Sequence, residues 1–262
     1  MRAADYEDMH DLEATYWWYV AMRRITETIL SRELQAPGIR ILDAGCGTGY
    51  NVQYFSSSPS RTVFGLDISG PAMEFVRKKG LNTVAQASVT AIPFPPDCFD
   101  LVFSFEVITH LERRLHEDAF REMRRVLKPG GSLYLRLPAF MWLWSSHDEA
   151  IQAYYRYARP EVEAILTRAG YRIEWISYAN CLLFPVILLH RLLKRLGIAS
   201  GSDVRPFPRA LQWLDGIFRR ALESEAAWFR LGRRFPFGLS IICHAKKDGK
   251  NPECRVQHAE GQ

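Results

Sequence analysis

The sequence predicts an α/β fold: a doubly wound, mostly parallel sheet. Three observations predict it. From residue 39 onward, short apolar runs alternate with amphipathic stretches of helical length. The first apolar run, Ile39 to Asp43, leads straight into Ala44-Gly45-Cys46-Gly47-Thr48-Gly49. A second, Thr62 to Asp67, ends on an acid twenty residues after Gly47. The 262 residues suffice for one medium domain with an appendage. With 48% hydrophobic and 24% charged residues, the composition is globular, which excludes a disordered, collagen-like or disulfide-dense chain. The acidic opening MRAADYEDMHDLE argues against a signal peptide. No uncharged apolar run of about 18 residues predicts a membrane-spanning helix. The five cysteines are odd in number and form no C-x-x-C pair, so they are expected to be reduced thiols in a cytoplasmic protein with no metal site.

The elements follow in order. Residues about 10–34 have the pattern of a helix, dense in aromatics at Tyr16-Trp17-Trp18-Tyr19, and Pro37-Gly38 ends it. After the glycine segment a helix is expected over about 50–57, then the strand 62–67. Ser69 or Gly70 opens a helix with Pro71 in its first turn, and Gly80 stops it. Asn82 to Gln86 is a weak third strand. Phe99 to Phe105 is apolar almost throughout, as in a strand buried on both faces. Leu111, Leu115, Ala119, Met123 and Val126 share one face of a helix over 111–127, ended by Lys128-Pro129-Gly130-Gly131. Strands over 132–137, 171–177 and 239–245 flank a helix over about 160–169. The last strand is expected to return antiparallel beside the sixth.

The glycine segment lies where a doubly wound sheet binds a nucleotide-like ligand. Glycines allow close backbone approach. The spacing G-x-G-x-G differs from the G-x-G-x-x-G of dinucleotide binders. Asp43, at the strand end, suits a cationic ligand and would repel a pyrophosphate. Asp67 can accept from both ribose hydroxyls; the plainer alternative is a helix cap.

These segments, ILDAGCGTG, GLDIS, AIPFPPDCFDLVFSFEVITHL and EMRRVLKPGG, together resemble the successive motifs of class I S-adenosylmethionine-dependent methyltransferases, most closely those acting on small molecules and lipids. The resemblance covers roughly residues 39–137. It implies a Rossmann-like sheet of seven strands, the seventh antiparallel between the fifth and sixth. It also implies that Asp43, Ala44, Gly45, Gly47 and Gly49 hold the methionine end of the cofactor, Asp67 the ribose, and Ile68 one adenine face. Ser88 and Val89 would meet the adenine edge, with Ser88 standing where many members have Asp. The backbone at Phe105 and Glu106 would reach the methionine amino group. The aromatic start, LWSSHDE, RY and PFGLS resemble bacterial methyltransferases that accompany cell-surface glycan and lipid-carrier enzymes. In that pattern a His and an Arg-Arg-Tyr run follow SSHDE; here Ala153 and Arg156-Tyr157 stand there.

Methyl transfer is an in-line displacement, so the protein mainly supplies proximity and excludes water. A base is needed only if the acceptor must lose a proton. His110, His147 and Asp148 are the candidates, and Glu106 is a further one better suited to the cofactor. Each has a packing or capping alternative. The absence of N/D-P-P-Y at Ser104-Phe105-Glu106-Val107 argues against nucleic-acid acceptors, and no RNA-binding module is recognisable.

Residues 181–235 carry ten Lys/Arg and four acids, which accounts for the whole +5 net charge. Their start, Cys181 to Leu189, is an apolar run broken by Pro185. A second amphipathic helix spans about 208–229. The span can be a helical cap, an anionic membrane surface contact or a dimer face. The expected organisation is a helical lid (1–38), a cofactor-binding core (39–180), a basic insertion (181–235), a final core strand (236–247) and a disordered tail (248–262). The expected partner is a small or lipid-linked acceptor, and the expected location cytoplasmic and peripheral on the inner membrane face. A non-catalytic cofactor-binding module is the alternative.

Overall fold

A computed structural model describes residues 1–195 and 213–248. Seven strands form one sheet: β1 (Ile39–Ala44), β2 (Arg61–Asp67), β3 (Val84–Gln86), β4 (Phe99–Phe105), β5 (Leu127–Pro138), β6 (Tyr171–Ala179) and β7 (Ser240–Lys247). Their order is β3-β2-β1-β4-β5-β7-β6. β7 pairs antiparallel with both β5 and β6; β1 to β5 run parallel to one another. The order reverses between β1 and β4, so their carboxyl ends open a crevice there. The central strands carry apolar side chains on both faces because helices cover both. On one face Leu42, Phe99, Val102 and Leu133 pack against α6 (His116–Val126) and α8 (Arg159–Arg168). On the other, Ile41, Phe103 and Tyr134 pack against α2 (Trp17–Ile29), α3 (Ser31–Leu34), α4 (Tyr50–Phe55) and α10 (Trp213–Arg230).

The amino terminus departs from the single expected helix. It makes α1 (Ala3–Leu12), turns at residues 13–16, and re-enters as α2. The turn allows Glu13 to point inward, 5% exposed. α1 packs on α5 (Gly70–Lys78) through Tyr6, Ala72, Met73 and Val76. The helix expected over 111–127 begins later, at His116. Leu111 is extended, and the His116 ring bonds to the Leu111 carbonyl at 3.1 Å, so a short 3-10 turn fills 113–115. Lys128 to Gly131 belong to β5 rather than to a loop. Gly130 adopts φ +77° and the pairing shifts register between Phe99 and Leu101.

Pro185 starts a helix instead of breaking one. It is the second residue of α9 (Phe184–Arg195), in the first turn, where its missing N–H costs nothing. α7 (Ser146–Ala150) is a short turn of helix after β5. Residues 208–212 of the second expected helix and 249–262 of the expected tail lie outside the described residues. No described helix is long and apolar enough to cross a membrane.

Candidate functional site

A cavity of about 860 Å³ lies over the carboxyl ends of β1, β2, β4 and β5. That is near the upper end of the range for ligand pockets, roughly 300–1,000 Å³. The glycine segment floors one end. Gly45 has φ +94°, and a Cβ there would lie 2.1 Å from Val107 Cγ2, so only glycine fits. The amides of Gly45 and Cys46 both donate to the Leu66 carbonyl, which fastens the loop to the end of β2. Gly47 N–H donates to Asp67 Oδ2 and Ser69 N–H to Asp67 Oδ1, both at 2.9 Å. Each Asp67 oxygen keeps accepting capacity toward the cavity it lines. Ile68, next in sequence, is 70% exposed at the cavity edge.

Asp43 sits beneath this loop. It is 1% exposed and both its oxygens are buried without a hydrogen-bond partner. Burial first, and the Asp67 charge second, push its carboxyl up to about 7; the Arg136 charge pulls the other way. A buried carboxyl without a donor is costly, and a cationic ligand nearby is the usual compensation. Of the eleven sequence-predicted cofactor residues, Gly45, Gly47, Asp67, Ile68, Ser88, Val89, Phe105 and Glu106 line the cavity. Asp43, Ala44 and Gly49 lie beneath it: Ala44 is core, and Gly49 begins α4 in a left-handed conformation. Ser88 shares a hydrogen bond with Thr90 Oγ1 at 2.7 Å. Glu106 holds φ +61° and pairs with Arg136 at 3.3 Å.

The amino-terminal segment roofs the same end. Glu13 Oε1 meets Lys79 Nζ at 2.6 Å, and its other oxygen accepts from the Thr48 hydroxyl of the glycine segment. Lys79 also donates to the Thr48 carbonyl at 3.1 Å. Arg23 is buried, with its guanidinium 4.5 Å over the Tyr50 ring, and it lines the cavity. Arg24 instead faces Glu27 on the surface.

At the far end stand the base candidates. His110 lines the cavity with Nδ1 3.4 Å from the Gln152 carbonyl; burial holds its pKa below the ordinary histidine value. It is therefore neutral near pH 7. His147 also lines the cavity. Asp148 is 2% exposed and bound into structure: Oδ1 takes Arg156 Nε at 2.8 Å, and Oδ2 caps α7 through Ser145 N–H. Leu183, just before α9, and Ile187 and Arg191 on one face of α9 form the remaining wall. Arg191 donates to the Leu143 carbonyl. Asn180, at φ +59°, donates from Nδ2 to Ser240 Oγ, and both residues line the wall.

Sequence reasoning passed over Glu13, Lys79, Arg136 and Asn180. Arg136 had a visible signal, a lone charge inside the apolar strand Leu133 to Leu137. Glu13 and Lys79, 66 residues apart, had none.

Residues 42–135 match the family described as a methyltransferase domain. A 120-residue stretch is 32% identical to methyltransferase GfsG of Streptomyces halstedii, covering 43% of this chain and 42% of that one. A 104-residue stretch is 36% identical to "Probable tRNA methyltransferase 9B" of Mus musculus, covering 38% and 22%. The chain thus spans less than half the length of these relatives. Among solved structures, a SAM-dependent methyltransferase from Archaeoglobus fulgidus superposes with TM-score 0.57 at 16% identity, covering 92% of this chain and 99% of that one.

Proposed function

We propose that this chain, whose residues 42–135 belong to the methyltransferase-domain family and whose fold is that of the class I enzymes, transfers a methyl group from S-adenosylmethionine to a small or lipid-linked acceptor. One observation carries the reading. Two carboxylates, Asp43 without a donor and Asp67 bonded to the glycine segment's own amide, converge under a loop that only glycine can form. That pair of acceptor carboxylates fits a ligand with a positive centre and a diol.

The residues divide the work. Gly45 and Gly47 let the ligand approach the backbone. Asp67 holds the ribose hydroxyls, and Ile68 covers one face of the base. Ser88 and Val89 meet the base edge. Arg23, beside the glycine segment, pairs with the ligand carboxylate, while Asp43 offsets its ammonium and sulfonium charge. Bound S-adenosylmethionine supplies an electrophilic methyl carbon, so the protein needs to align the acceptor and keep water out. α2 and α9 do this by walling the cavity with Trp18, Tyr19, Leu183 and Ile187. Where the acceptor must lose a proton, His110, neutral at working pH, is the better placed base. His147 stands second, because Asp148 is committed to Arg156. The absence of an N/D-P-P-Y segment at Ser104 to Val107 favours a small or lipid-linked acceptor.

Calorimetric titration with S-adenosylmethionine tests the reading. Wild type should bind, and Asp67→Ala should bind about 10–100-fold more weakly, the loss of hydrogen bonds to a charged group. Absence of binding to wild type would leave only the likeness of fold.

A further inference from the structure

α9 is apolar on two opposite faces. Leu183, in the turn before the helix, and Ile187 line the cavity, and the helix turns Pro185, Val186, Leu189 and Leu192 to solvent in line with the exposed Leu182 of that turn. That outer set recurs at the spacing of one helical stripe, with Val186 50% and Leu189 59% exposed. A helix that merely caps a domain needs one apolar face, so the cap accounts for the inner stripe and leaves the outer one unexplained. Phe184 extends the stripe sideways: its ring lies 6.0 Å from Trp142 and 5.3 Å from Phe237, 53% and 42% exposed. The sequence of the last two turns of α9 holds His190, Lys194 and Arg195 besides Arg191, which faces the cavity, and the helix contains no acid. Its twelve residues span about 18 Å, too short to cross a bilayer of roughly 30 Å.

We infer that α9, flanked by Trp142 and Phe237, lies in the plane of an anionic lipid surface and sets the cavity one helix diameter beneath it. An exposed apolar stripe on a helix whose only charged residues are basic, and which is short of spanning length, is the chemistry of an interfacial helix. Only about 10 Å of helix then separates lipid from the cavity wall. This extends the acceptor side of the proposed methyl transfer and rests on that reading: the acceptor is an amphiphile whose polar end enters the cavity while its chain stays in the membrane.

Sedimentation of the full chain with phosphatidylglycerol–phosphatidylcholine vesicles, and with phosphatidylcholine alone, tests the contact. Wild type should sediment with the anionic vesicles and be released in part by salt. Val186→Glu/Leu189→Glu should partition at least about tenfold more weakly, with unchanged thermal melting and unchanged S-adenosylmethionine titration. Leu189→Trp, at the same exposed position, should partition several-fold more strongly. Wild type left in the supernatant at low salt overturns the inference, as does partition indifferent to these substitutions. A wild-type dimer that the double substitution dissociates assigns the face to a second copy and overturns it too. Because vesicle binding needs no cofactor, its failure leaves the methyl-transfer reading standing; loss of cofactor binding with vesicle binding intact removes that reading alone.

Discussion

Two aspartates a short distance apart are held in opposite ways. Asp67 has a backbone amide on each oxygen, whereas Asp43 has none and is fully buried. The Asp43 carboxyl is therefore pushed up from 3.8 to about 7. The sign of its linkage follows. Its contribution to stability is complete below about 3.8 and is lost as pH rises through about 7, because the folded state holds a proton that the unfolded state has released. A cationic ligand reverses this preference by favouring the ionised form. Affinity for S-adenosylmethionine should therefore rise with pH through about 7, and Asp43→Asn should flatten the dependence. Titrations across that interval check it; a flat wild-type profile would remove Asp43 from ligand recognition. The gathering of Asp43, Gly45 and Asp67 around one loop was legible in the sequence because it depends on position within one strand and one turn. The Arg136–Glu106 pair was not, since its members come from β5 and the end of β4.

At the scale of elements, the strands matched expectation to within a few residues, apart from the earlier start of β5, and the helices less closely. Strand boundaries are marked by local punctuation such as Pro138 and Gly170. Helix boundaries yielded to partners distant in sequence. The 13–16 turn exists because Glu13 reaches Thr48 and Lys79, and the late start of α6 because His116 turns back to Leu111. Glu225 shows the same principle within α10. It is wholly buried, and its oxygens accept from the Asn180 and Leu182 amides, both at 2.8 Å, where β6 leads into α9. Burial pushes its carboxyl up to about 7, against these amides. Glu225→Ala orphans two buried donors and should cost about 2–4 kcal/mol. Chemical denaturation measures it; a loss below about 0.5 kcal/mol would show that water replaces the carboxylate.

For the whole molecule, the amino-terminal segment and the 181–235 segment approach the crevice from two sides. Trp17 meets Phe218 edge-on at 5.4 Å, and Tyr16, Ala21, Leu183 and Leu222 join them in one cluster. The roof is latched at the other end by Lys79 and Glu13, whose side chains are 11% and 7% exposed. Removing one partner of so buried a pair leaves the other charge uncompensated. Lys79→Ala should therefore speed amide hydrogen exchange in residues 3–12 by about tenfold or more, while the sheet stays protected. Unchanged exchange in α1 would mean that its contact with α5 alone holds the roof.

The chain by itself determined the parallel β1 to β5 framework, the glycine crossing and the acid after β2. These rest on backbone sterics and on apolar periods that neighbouring residues set. The order β5-β7-β6, foreseen through resemblance, is realised by pairing across more than a hundred residues. Tertiary structure alone decided which charges are buried, which helix ends hold, and that α9 keeps an apolar face outward after its other face is used. Burial is a property of the assembled surface, and a single segment's sequence carries no record of what packs against it.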